Sequence, residues 1–122
     1  GAGRALYRRH LLGQALSAQE LDRLIPERQD FVAVWRYLAA SAQNGVVCEE
    51  FGCLVRKITR CAGCACSGSK IRVCLDVFQE QGLLQMEQRP KLLVIRLTSD
   101  GKKVDLERSP TLLHLKELKA GT

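Results

Sequence analysis

Residues 67–97 read SGSKIRVCLDVFQEQGLLQMEQRPKLLVIRL, and the hydrophobic period changes in the middle of this stretch. In its first half, Ile71, Cys74, Leu75 and Phe78 recur at the spacings that gather residues on one helical face. Ser67 or Ser69 supplies a side-chain oxygen to cap the helix start. Gly82 suits the left-handed residue that commonly closes a helix. Beyond Gly82 the period is two. Leu84 and Met86 alternate with Gln85 and Glu87, and Leu93, Ile95 and Leu97 alternate with Val94 and Arg96. Arg89-Pro90 breaks the run between them, which predicts a β-hairpin over about 83–98.

Working backward from this stretch, Cys61 to Gly68 is a tight, small-residue turn. Before it, 49–60 has a helical pattern with Leu54, Val55 and Ile58 facing inward. Val46-Val47-Cys48 is long enough only for a short strand. Asn44-Gly45 ends a further helix that Pro26 opens, with Phe31, Val34, Trp35, Leu38 and Ala42 as its apolar stripe. Glu27 and Asp30 place negative charge at its start, where the helix dipole favours it. Arg4 to Ile25 is helical but interrupted near Gly13 or Ser17, with Leu6, Leu12, Leu16, Leu21 and Leu24 as candidate buried positions. Working forward, Asp100-Gly101 is a turn, and Ser109-Pro110 starts a last helix carrying Leu112, Leu113, Leu115 and Leu118.

The expected fold is α+β and mainly helical. It is a winged helix-turn-helix-like domain with a hairpin wing and a C-terminal helix. The expected division is an N-terminal helical lead-in over 1–25, a winged-helix core over 26–98, and a C-terminal turn and helix over 99–122. Trp35, Leu54, Leu75 and Phe78 should share one core. The third core helix, starting near Ser67, would be the one offered to a nucleic-acid groove.

The 122 residues amount to one domain. Aromatic side chains are few: Tyr7, Phe31, Trp35, Tyr37, Phe51 and Phe78 are all of them. That counts against a base-stacking sheet of the OB-fold or RRM kind. The formal net charge is +6, unevenly spread. Arg56, Lys57, Arg60, Lys70 and Arg72 fall in a stretch without a single acid, a pattern that attracts polyanions or acidic partners. Arg89 and Lys91 sit at the wing tip. Together these seven residues are the candidate nucleic-acid contacts, through phosphates rather than bases. The alternative is a solvated basic face with no specific partner.

The six cysteines present a second candidate site. Cys61 and Cys64 form a CxxC pair, with Cys66 and Cys53 as further thiols, and four thiolates can hold a tetrahedral zinc ion. A structural site usually supplies two tight pairs, however, and Cys53 and Cys74 lie within helices. Ordinary core and turn roles are therefore the leading reading, ahead of metal and of a redox pair. His10 and His114 are lone histidines at expected surface or edge positions, with no catalytic partner in sight. The acids Asp22, Asp30, Asp76, Asp100 and Asp105 are scattered. Gly63 and Gly68 belong to the cysteine-rich turn and not to a phosphate loop. No run approaches a membrane span, and no secretory pattern is present. A reducing, cytoplasmic setting is expected, with no membrane partner. Gly1-Ala2-Gly3 reads as a junction, and the chain as an excised fragment.

Three segments in order are similar to one known family. Leu21 to Phe31 (LDRLIPERQDF) with Val34 to Leu38 (VWRYL), Leu75 to Leu83 (LDVFQEQGL), and Lys103 to Pro110 (KVDLERSP) resemble the C-terminal domain of RecJ-type single-strand-specific DNA exonucleases. The resemblance implies a parent enzyme that hydrolyses single-stranded DNA from the 5′ end, with manganese or magnesium, in repair and recombination. It departs from the family at the cysteine-rich turn. The Asp-His-His motif of the catalytic core is not in this sequence. The expectation is therefore a non-catalytic accessory domain with no cofactor of its own. Its expected partners are single-stranded DNA, the parent's catalytic core, and single-strand-binding protein or a helicase. From other classes come a free-standing winged-helix transcription regulator, with or without a cysteine-bound metal, and a structural clamp within the parent enzyme.

Overall fold

The computed structural model describes residues 2–62, 67–98 and 105–121. The chain opens with helix α1 (Ala2–Leu11), which ends at Gly13 with a positive φ of 80°. Helix α2 (Ala18–Leu24) is started by Ser17, whose hydroxyl accepts from the Glu20 amide while the Glu20 carboxylate accepts from the Ser17 amide. This reciprocal pair satisfies two amides that the first turn leaves open. Helix α3 (Arg28–Ser41) begins two residues later than Pro26, which is buried just outside it. Glu27 is the capping position. Its amide donates to the Asp30 carboxylate at 2.7 Å, which gives the buried Asp30 its partner.

Asn44 and Gly45 both have positive φ, 54° and 76°. They form the two-residue turn that returns the chain into strand β1 (Val46–Glu49). Helix α4 (Phe51–Ala62) and helix α5 (Gly68–Glu80) follow. Of the two candidate caps for α5, Ser67 takes the role. Its hydroxyl accepts from the Lys70 amide, and Ser69 is buried against α1. Gly82, with φ of 76°, then delivers the chain to strands β2 (Leu84–Gln88) and β3 (Leu93–Leu97). A short 3₁₀ turn (Leu106–Arg108) leads into helix α6 (Pro110–Ala120), capped by the Ser109 hydroxyl on the Leu112 amide. The expected Asp100-Gly101 turn lies outside the described residues.

The molecule is α+β, mainly helical, with one antiparallel three-stranded sheet in the order β1-β3-β2. The hairpin is thus joined by the short strand, which pairs with β3 and not with β2. Register stacks Val47, Ile95 and Met86 in one row facing the helices. Val94 belongs to the other face, where alternation leads one to expect exposure. It is only 6% exposed, being a central-strand residue flanked in register by Cys48 and Glu87.

One core unites all three expected stretches. It takes Tyr7, Leu21 and Leu24 from the lead-in, Leu54, Leu75 and Phe78 from the middle, and Leu112 and Leu115 from α6. Trp35 is half-buried and sets its ring edge-on to Phe78 at 5.3 Å. Phe31 does the same from the other side at 5.8 Å. Leu12, expected inside, is 69% exposed because α1 has already ended before it. No helix among the described residues is long and apolar enough to cross a membrane.

Candidate nucleic-acid interface

Helix α4 is amphipathic. Leu54 and Ile58 are fully buried, while Arg56, Lys57 and Arg60 stay in solvent. Arg56 and Arg60, four residues apart, are neighbours along one face. Arg60 has no ion-pair partner among the described residues, and Arg56 donates only to the Cys53 thiol, at 3.0 Å. Lys57 differs. It pairs with Glu49 at the end of β1, and this contact holds its ammonium above its ordinary pKa. Glu49 also accepts the Tyr37 hydroxyl at 2.8 Å, so β1, α3 and α4 are tied at one carboxylate.

The same residue locates the wing. Glu49 stands opposite Leu93, two residues after Lys91, so the hairpin tip lies at the end of the sheet from which α4 departs. Lys91 is exposed and has no carboxylate partner among the described residues. Arg89 reaches Glu87 at 3.5 Å. On the other side of α4, a groove of about 960 Å³ runs along α3, lined by Arg28, Val32, Arg36, Tyr37, Ala40 and Cys61. Arg28 and Arg36 are exposed on this groove, which α4 reaches through Cys61.

Helix α5 is enclosed. Ile71, Val73, Cys74, Leu75, Val77 and Phe78 are all at most 1% exposed, because α1, α2, α3 and α6 all pack on it. The expectation that this helix is offered to a groove is corrected by that burial: only Gln79 and Glu80 are exposed on it. Lys70 is half-buried at its start, beside α2, where the Ser67 hydroxyl lies 3.4 Å from the Arg23 carbonyl. Arg72 is committed. It lies 3.9 Å from Asp76, one turn on, with its guanidinium 6.0 Å from the centre of the Phe51 ring.

Asp76 in turn accepts the Tyr7 hydroxyl at 2.5 Å, the contact that pins α1 to α5. Burial raises the Asp76 pKa, against the Tyr7 hydrogen bond and the Arg72 charge. Tyr7 is pushed far above its ordinary value, first by burial and then by that carboxylate. At the far end of α5, Glu80 accepts the Ser109 hydroxyl at 2.9 Å and also that of Thr111, docking α6. Nothing in the sequence signals these long-range polar contacts, which join residues 29 to 69 positions apart.

No family model, curated protein or solved structure matches this chain.

Among the cysteines, Cys48 and Cys61 are exposed, Cys53 is half-buried and Cys74 is in the core. Cys64 and Cys66 lie outside the described residues, so half of the four-thiolate set does too. Among the described residues, no three or more His, Cys, Asp or Glu side chains converge to hold a metal ion.

Proposed function

We propose that this chain is a winged-helix accessory domain of a RecJ-type exonuclease, and that it holds single-stranded DNA by its backbone along α4 and the wing tip. The order α3-β1-α4-α5-β2-β3 with β1 paired to β3 supports the winged-helix reading. The observation that carries the functional reading is the division of the cations. Arg56 and Arg60 are exposed on α4 without carboxylate partners among the described residues, as is Lys91 at the wing tip, while Arg28 and Arg36 are exposed on α3. A row of exposed guanidinium and ammonium groups suits phosphate oxygens, which carry no sequence information. A transcription regulator would instead lay its third core helix in a major groove, and α5 is enclosed. The domain is an accessory part and not the catalyst. Chemistry belongs to the parent's metal-dependent core, against which the aliphatic α6 offers Leu113 and Leu118.

The test is a titration of fluorescent oligonucleotides at low salt. Weak binding of single strands, tolerant of base sequence and reduced in an R56A/R60A/K91A variant, is the expected result. Undetectable binding, or a clear preference for duplex, would overturn it and leave protein docking as the role of this face.

A further inference from the structure

Helices α1 and α6 bring together two histidines that are 104 positions apart in the chain. The His10 and His114 rings stand 5.4 Å apart, centre to centre, at an interplanar angle of 41°. They are tilted and not stacked, so their edges can converge. His10 is half-buried, with its other side against the Tyr7 ring at 6.1 Å, while His114 is exposed. Neither imidazole has a hydrogen-bond or ion-pair partner among the described residues. Beside them opens a cavity of about 360 Å³, lined by both rings together with Leu16, Leu21 and Leu118.

We infer that His10 and His114 form a two-imidazole site for a divalent transition ion, zinc in the first instance, clamping α1 to α6. The spacing is what the ion requires. With zinc about 2.0–2.1 Å from each nitrogen, each ring centre lies about 3.2 Å from the metal, and a tetrahedral angle then separates the centres by about 5.2 Å. Imidazole is a suitable donor for zinc, copper and nickel alike. Each ligand must be neutral to bind, and the partly buried position of His10 already disfavours its charged form. Water would complete the shell. The site uses none of the cysteines and does not depend on the DNA-binding reading.

Zinc chloride is titrated into the reduced protein, followed by thermal melting and by the imidazole resonances in NMR, with His10→Gln and His114→Gln in parallel. Zinc should raise the melting temperature of the parent protein and shift both histidine signals. Either substitution should weaken that binding by at least about tenfold, since losing even an outer-shell partner of a metal site costs 10–100-fold. His114 is exposed, so His114→Gln keeps the fold and the comparison interpretable. Histidine signals that do not move, or a zinc-induced melting shift in both variants as large as in the parent protein, would overturn the inference. The second result would place the zinc on the cysteines.

Discussion

Helices α4 and α5 share one acid-free basic stretch, Arg56 to Arg72, and use its cations differently. Arg56, Lys57 and Arg60 on α4 alternate with a single buried stripe, so two of the three reach solvent with no carboxylate partner among the described residues. Lys70 and Arg72 begin a helix on which all five others pack, and Arg72 is drawn into an ion pair beside a buried tyrosine. An acid-free run in the sequence is therefore not an acid-free surface. The fold brings Glu49 to Lys57, and Asp76 and Glu87 lie within four residues of Arg72 and Arg89. What separates a solvent-exposed cation from a structural one is how enclosed its helix is.

The contrast can be broken first at the core of α5. Phe78→Ala removes a ring that is 1% exposed and touched edge-on by two others. It should cost about 3–5 kcal/mol in urea unfolding. A loss under 1 kcal/mol would mean that α5 is not the centre of the packing. Tyr7→Phe comes next. It leaves the part-buried Asp76 without its hydroxyl donor, at a cost of about 1–3 kcal/mol.

The same residue sets a pH dependence. The folded-state pKa of Tyr7 is raised, so above about pH 10 the unfolded chain gives up a proton that the folded chain keeps. Its contribution is whole below that pH and is lost as the pH rises further. The parent protein should lose stability above pH 10 more steeply than Tyr7→Phe, and identical alkaline profiles would contradict the buried phenol. Lys57→Ala breaks an exposed pair and should lower a thermal melt only slightly. At the bottom of the scale, Arg56→Ala with Arg60→Ala should change stability by no more than about 0.5 kcal/mol.

The hairpin, the helix before it and the glycine between them were legible because each is a local event: a change of period, a hydroxyl at a cap, a left-handed residue. The pairing of β1 with β3 was not, since four residues carry no register and only the finished sheet chooses the neighbour. Pro26 misled by two residues. It fits a first helical position, but the Glu27–Asp30 contact fixes the start beyond it. The basic residues were visible in the sequence, yet which of them stay in solvent depended on enclosure of α5 by α1 and α6, a long-range event. Arg28 and Arg36 were passed over for the same reason, because the groove they line exists only after packing.

The central claim is that the α4 face, and not α5, meets a phosphate backbone. Affinity for a fluorescent single strand, measured across a range of salt, tests it most directly. Each phosphate neutralised on a single strand contributes about 0.7 to the slope of log affinity against log salt. The R56A/R60A variant should therefore lose about 1.4 from that slope, while Lys70→Ala leaves it almost unchanged. A slope that survives R56A/R60A, or falls as far in Lys70→Ala, would contradict the account.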